Sequence, residues 1–326
     1  MTLHDAQQEL NSGLQKLYEA REAALMTDWV MENISGRKKI DRLLHKNEAL
    51  STPELDLLKK YTAELLAHRP VQYVLHESWF AGMKFYVDEN VLIPRPETEE
   101  LVDWVAAEAA VRLNPRPSAW EADNSLSILD VGTGSGCIAV TLKKKLSQAP
   151  SNPHGSQASS GPQEPASIFA CDISADALSI AQRNAATLTT PIPPASTHAA
   201  PIPPAPIQFL QLDFLDSRQR AALPPVHLLV SNPPYIPLKD KSSMAQNVVG
   251  FEPHLALFVE DHDPLIFYRA LADFASEKLL PGGGIFVEIH EELAAAVMSV
   301  FREAGFPDII LKRDLQGKER MIKATR

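Results

Sequence analysis

The chain has 326 residues, 45% hydrophobic and 22% charged, which is enough for one large or two ordinary domains of a water-soluble globular protein. No run of about 18 apolar residues offers a membrane span, and Met1-Thr2-Leu3-His4-Asp5 lacks the basic-then-apolar pattern of a secretion signal, so the cytoplasm is the expected location. A net charge of −10 argues against a stable nucleic-acid partner, and two cysteines without clustered histidines suit neither a metal site nor a disulfide framework; Cys137 and Cys171 read as reduced, buried thiols.

Residues 1–75 carry almost no strand signal. Leu10, Leu14, Leu17 and Tyr18 share one helical face, as do Leu57, Leu58, Tyr61, Leu65 and Leu66. Ser51-Thr52-Pro53-Glu54 has the spacing of a capping box with an early proline. A small helical bundle is expected here. Its basic cluster, Arg37, Lys38, Lys39, Arg42 and Lys46, reads as a solvated helix face, with an anionic partner as the alternative. Aromatic and β-branched residues between Val71 and Val91, broken by Gly82 and by Asp88-Glu89-Asn90, predict a linker hairpin over 76–93. A second domain over 94–326 opens on Leu92-Ile93-Pro94-Arg95-Pro96-Glu97-Thr98-Glu99, followed by a helical pattern through Leu101, Val102, Trp104 and Val105.

From Leu126 onward strand and helix alternate. Apolar strands are expected at Leu126–Val131, Ile168–Ile173, Ile207–Leu212, Leu228–Ser231 and Ile285–Ile289, which predicts an α/β fold with a doubly wound, mostly parallel sheet. Ile309-Ile310-Leu311 and Arg320-Met321-Ile322-Lys323, separated by a polar turn with Gly317, read as a closing hairpin with an antiparallel edge strand. Two inserts interrupt the alternation. Residues 148–166 are rich in Ser, Pro and Gly, and 189–206 repeat Pro-Ile-Pro-Pro-Ala; both read as disordered surface loops.

Two strand ends carry the chemistry. After the first strand, Gly132-Thr133-Gly134-Ser135-Gly136 makes a turn beneath which a ligand can approach the backbone closely. The second strand ends at Asp172, a carboxylate suited to two ribose hydroxyls. Gly136 and Asp172 stand further apart than the ~20 residues usual for such a pair, and the insert at 148–166 accounts for the excess. The plainer alternative makes Asp172 a helix cap, a role for which Ser174 also competes.

The fourth strand stops at Asn232-Pro233-Pro234-Tyr235. Consecutive prolines lack N–H groups and fix φ, so the turn is stiff. The Asn232 side-chain oxygen and the Pro233 carbonyl can accept both hydrogens of an –NH2 group, with Tyr235 as a flat face beside it. Such a clamp suits alkyl transfer to a weak nitrogen nucleophile. Read plainly, it is a proline-rich turn.

Glycine turn, acidic strand end and Asn-Pro-Pro-Tyr, in that order, resemble the S-adenosylmethionine-dependent amino-methyltransferases. Arg69-Pro70-Val71-Gln72-Tyr73, Phe85-Tyr86-Val87, Val91 through Glu99, Phe251 through Leu257, Tyr268-Arg269 and Gly317 through Arg320 are similar to segments of the HemK/PrmC-type release factor glutamine-N5 methyltransferases. The resemblance spans nearly everything except the inserts. It implies a Rossmann-like methyltransferase sheet and S-adenosyl-L-methionine as cofactor, together with an N-terminal substrate-recognition bundle. It also implies methylation of the glutamine in the Gly-Gly-Gln motif of peptide chain release factors. Carried over by position, Gly132 through Gly136, Asp172, Phe214 and Asn232 would bind the cofactor. Asn232, Pro233, Pro234 and Tyr235 would receive the glutamine, and Pro94 to Thr98, with Arg95 among them, would close over the cleft.

The sequence departs from the family at His290, at Val259–His262 and around Leu75-His76-Glu77, where a glycine is expected. Glu288 and His290, at the fifth strand's end, are acid–base candidates by type, but read as polar residues at the strand terminus, near but outside the chemistry. The alternative activity is N6-adenine or guanine methylation of RNA or DNA, since the same clamp suits an exocyclic base amine. A catalytically inert scaffold that binds release factor or another protein is the third reading.

Overall fold

Over the residues that the computed structural model describes, namely 1–113, 126–147, 166–189 and 206–326, the chain separates into a helical unit and a sheet-bearing unit. The helical unit comprises Met1–Glu77, Val87–Glu89 and Ser243–Glu252. The last of these segments was expected in the second domain and groups with the first.

Helices Leu3–Leu14, Ala20–Ser35 and Thr52–Leu66 build the core of the helical unit. Leu3, Leu10, Leu14, Val30, Met31 and Leu65 are buried in it. The first and third helices begin with reciprocal caps. The Asp5 N–H donates to Thr2 Oγ1 while the Thr2 N–H donates to Asp5, and Ser51 and Glu54 repeat the arrangement, as the sequence predicts. The expected apolar faces are narrower than their patterns: Leu17 and Leu66 lie largely exposed. The basic cluster is mostly consumed within the unit. Arg42 is buried and donates to Asp28 at 2.8 Å, Lys39 pairs with the same carboxylate at 2.6 Å, and Arg37 pairs with Glu48. At His76, near the departure that lacks the family's glycine, the backbone adopts φ 53°, so histidine fills a left-handed position that glycine fills without strain.

The sheet has seven strands: β1 Leu126–Val131, β2 Ala166–Asp172, β3 Gln208–Gln211, β4 Val226–Ser231, β5 Leu279–Glu288, β6 Asp308–Arg313 and β7 Glu319–Thr325. Their order across the sheet is β3-β2-β1-β4-β5-β7-β6, with β1 to β5 mutually parallel. Strand β1 is buried at every position because both faces are covered. Ile128 faces one core and Leu129 the other, as the two-residue period requires.

The closing hairpin lies at one edge of the sheet and pairs antiparallel, as expected. The strand that runs antiparallel to β5 is β7, which lies inside the sheet, while β6 forms the edge. Composition explains which of the two is inside. Met321, Ile322 and Ala324 of β7 are fully buried, whereas β6 carries no buried residue. The hairpin Ser78–Phe80 with Met83–Phe85, expected as a linker, belongs to the sheet-bearing unit. The inserts expected at 148–166 and 189–206 lie, apart from their end residues, outside the described residues. Cys171 is buried, Cys137 is half-buried, and both are free, their thiols pushed up by burial. Among the described residues no helix is long and apolar enough to cross a membrane.

Candidate active site

Strands β1 and β4 lie side by side with Val131 opposite Ser231. The Ser231 hydroxyl ties the two ends together by donating to the Val131 carbonyl at 2.7 Å. The next residues are Gly132 on one strand and Asn232 on the other, so the two predicted turns leave the sheet from adjacent points. Parallel α/β sheets place their ligands at this end.

The glycine turn is fixed by backbone contacts. The N–H groups of Gly132 and Thr133 both donate to the Cys171 carbonyl, at 2.9 and 3.0 Å. At Gly134 (φ 53°) an added Cβ would meet nothing within 4 Å, which leaves room above the turn for a ligand. Gly136 has the opposite reason: a Cβ there would come within 3.1 Å of Ala181, so its absence lets the following helix, Cys137–Ser147, pack closely. Asn184 braces the turn from below, its Nδ2 donating to the Ser135 carbonyl at 2.9 Å.

Two carboxylates frame this space. Asp172 accepts from the Gly134 N–H at 2.9 Å and from the Ser174 N–H at 3.0 Å, and each oxygen keeps lone-pair capacity for a hydroxyl. The helix cap is Ser174, which accepts from the Ala177 N–H, so capping does not account for Asp172. Asp130 is fully buried at the carboxyl end of β1. Its Oδ2 accepts from the Thr133 hydroxyl and the Ala139 N–H, but Oδ1 has no hydrogen-bond donor among the described residues. Burial pushes this carboxyl up to about 7. A buried acceptor of this kind, beside glycines with open space above them, fits a cationic, ribose-bearing cofactor.

Phe214 is 5% exposed, its ring edge-on to Phe274 at 5.6 Å, so little of its surface remains for an adenine. The ring belongs to the core on that side of the sheet.

The Asn-Pro-Pro-Tyr turn is held at its far end by the Ile236 N–H, which donates to the Leu257 carbonyl at 3.0 Å. Its side chains enter a buried polar network. Asn232 Nδ2 donates to Thr98 Oγ1 at 3.0 Å, and the Thr98 hydroxyl donates to Glu288 Oε2 at 2.7 Å. The Tyr235 hydroxyl donates to the other oxygen, Glu288 Oε1, at 3.1 Å. Tyr268 donates to the Glu288 backbone carbonyl, also at 3.1 Å. Thr98 and Glu288 are 2% and 1% exposed, so water does not compete for these bonds. Pro233 is buried, whereas Asn232, Pro234 and Tyr235 are half-buried.

Burial raises Glu288 above the ordinary glutamate range; the Thr98 and Tyr235 hydroxyls and the Arg320 charge pull it back, and Glu97 opposes them. Burial also raises the Tyr235 phenol, reinforced by Glu288, so it stays protonated. Arg95 sits one residue before helix Pro96–Leu113 and accepts the Thr98 N–H on its carbonyl.

The site therefore gathers Gly132 to Gly136 and Asp172 on one side, and Asn232 to Tyr235 with Thr98 on the other. Sequence reasoning did not foresee the part of Asp130 or the buried bonds that join Thr98, Tyr235 and Glu288. A charged residue ending the apolar run Ile285 to Val287 was the available signal.

A family described as the PrmC N-terminal domain matches residues 8–75. The release factor glutamine methyltransferase of Flavobacterium psychrophilum is 33% identical over 325 residues, covering 100% of this chain and 99% of the relative. The protein of the same description from Lactococcus lactis subsp. lactis is 35% identical over 296 residues, 90% and 92% of the two chains. Among solved structures, the release factor-specific protein-(glutamine-N5) methyltransferase of Alicyclobacillus acidocaldarius is 28% identical, covering 74% of this chain and 99% of that one, with a TM-score of 0.36.

Proposed function

The chain belongs to the release factor glutamine methyltransferase family, and from that premise we propose that it methylates the side-chain amide nitrogen of the glutamine in the Gly-Gly-Gln motif of peptide chain release factors. One observation carries the reading. The ligand-shaped glycine turn and the Asn-Pro-Pro-Tyr turn leave neighbouring strands at paired positions, with Ser231 bonded across to Val131.

Gly132 to Gly136 and Asp172 would hold S-adenosylmethionine, with Asp130 Oδ1 available to its ammonium. When bound, this cofactor supplies a methyl group on a sulfonium, open to displacement by a nucleophile. Everything else falls to side chains of this chain. A carboxamide nitrogen is a weak nucleophile because its lone pair is delocalised, and no side chain deprotonates it near neutral pH. Positioning must therefore do most of the work.

Asn232 Nδ2 is engaged by Thr98, and Oδ1 has no partner among the described residues. Oδ1 and the Pro233 carbonyl accept the two amide hydrogens and fix the rotation of the group. The Tyr235 ring bounds it on one face, and Pro94 to Thr98, Arg95 included, line the approach. As the nitrogen gains positive charge during transfer, both acceptors bind it more strongly, which stabilises the transition state selectively. Proton loss to water completes the reaction.

Purified enzyme is incubated with release factor and S-adenosylmethionine, and the Gly-Gly-Gln peptide is weighed by mass spectrometry. A methyl gain on the glutamine is expected. Transfer of label to total RNA instead would support the base-amine reading, and release-factor binding without any transfer would support the inert scaffold.

A further inference from the structure

We propose that Glu288 is the positioning residue of this site. Through the Thr98 hydroxyl it locks the Asn232 amide with its NH2 turned inward, leaving Oδ1 for the substrate nitrogen; this deepens, and rests on, the glutamine-methylation reading.

An ionised carboxylate can only accept. Glu288 has one hydroxyl on each oxygen, Thr98 on Oε2 and Tyr235 on Oε1. The single Thr98 proton is thereby spent on Glu288, and Thr98 Oγ1 can meet Asn232 only as an acceptor. Of the two ends of the Asn232 amide, only NH2 satisfies it. The amide is therefore set by a charge two hydrogen bonds away rather than by its own surroundings.

Protonation reverses the chain. A neutral Glu288 has an O–H to donate, which lets Thr98 turn its own proton toward Asn232 and draw Oδ1 inward. The amide then presents NH2 to an –NH2 substrate, donor against donor. The titratable and hydrogen-bonding groups facing Glu288 include Thr98 and Glu97 from helix Pro96–Leu113, Cys137 from helix Cys137–Ser147, Tyr235 from the turn, Tyr268 from helix Ile266–Lys278 and Arg320 from β7. Arg320 is the one cation among them and favours the ionised form, while burial opposes it.

Three variants test the relay, with kcat on intact release factor, S-adenosylmethionine affinity by calorimetry and thermal stability read in parallel. Thr98→Val keeps the shape and removes the hydroxyl, so kcat falls about 100-fold with cofactor affinity unchanged. Thr98→Ser restores the hydroxyl and recovers most of the rate. In the wild type kcat falls on the acid side along a limb above the ordinary glutamate range, and in Glu288→Gln that limb disappears. Wild-type kcat in Thr98→Val overturns the proposal, as does an acid limb that survives in Glu288→Gln. The pH profile still decides the matter if Thr98→Val does not fold. Failure of the wild type to methylate the Gly-Gly-Gln glutamine at all would instead overturn the underlying function.

Discussion

The turns after β1 and β4 leave the sheet at paired positions and are built from opposite materials. The first, Gly132 to Gly136, works by absence: missing side chains and backbone N–H groups make a space. The second, Asn232 to Tyr235, works by presence: stiff prolines and side chains are wired into the buried Thr98–Glu288 pair. A cofactor with many polar groups can be held by a backbone cradle that distributes the load. A single weak nucleophile needs one acceptor aimed correctly, and aiming requires a fixed side chain.

The sharpest way to break this contrast is to cut each turn and see which constant moves. Asn232→Ala removes the aimed acceptor, and kcat on release factor should fall about 100- to 1,000-fold while calorimetric affinity for S-adenosylmethionine holds. Equal losses in both would make Asn232 a cofactor ligand only. Asp172→Ala should do the reverse. Removing a charged acceptor for hydroxyls weakens cofactor affinity by about 10- to 100-fold, with kcat retained at saturating cofactor. A lowered kcat with unchanged affinity would remove Asp172 from the cofactor side.

The difference in material also decided what could be read in advance. Backbone devices are local, so Gly-x-Gly-x-Gly and the Asp172 strand end stand out in sequence, and β1 was delimited to the residue because both its faces are buried. Side-chain devices are not local. Thr98 and Glu288 are 190 residues apart, and no periodicity announces their bond. Strand β5, expected from Ile285, starts at Leu279, but its continuous ladders with β4 and β7 begin at Gly284, and the register with β4 shifts between Leu279 and Gly284. A Cβ at Gly283 would sit 2.6 Å from the His227 carbonyl and 2.7 Å from the Leu280 carbonyl, so glycine there lets the backbone approach closely at this irregularity. Strand order at the β6–β7 end followed from which strand carried more apolar residues, a tertiary choice that the hairpin signal alone leaves open.

Asp130 gives the cradle a pH dependence of its own. Its carboxyl, raised to about 7 by burial, holds a proton in the folded, cofactor-free protein over a range where the unfolded chain has lost it. Folding is favoured by this group below that window, and the advantage fades as pH rises through about 7. The melting temperature of cofactor-free wild type should therefore drop more between about pH 5 and pH 8 than that of Asp130→Asn. An ammonium held beside Oδ1 would favour the charged form, so wild-type affinity for S-adenosylmethionine should rise several-fold across the same window. A flat affinity profile would detach Asp130 from the cofactor.

The smallest effect probes the aimed turn most finely. Tyr235→Phe keeps the flat ring proposed to bound the substrate nitrogen and removes one of the two hydroxyls that donate to the Glu288 carboxylate. A carboxylate that loses a donor is harder to ionise, so the Glu288 proton leaves at higher pH than before. The relay to Asn232 through Thr98 remains intact once Glu288 is charged, and kcat on the alkaline plateau should change by less than about tenfold. What moves is the acid limb, which shifts upward in pH. A limb that stays in place, or shifts downward, would mean that Tyr235 holds the substrate without reporting on Glu288, and the two hydroxyls would then serve separate ends.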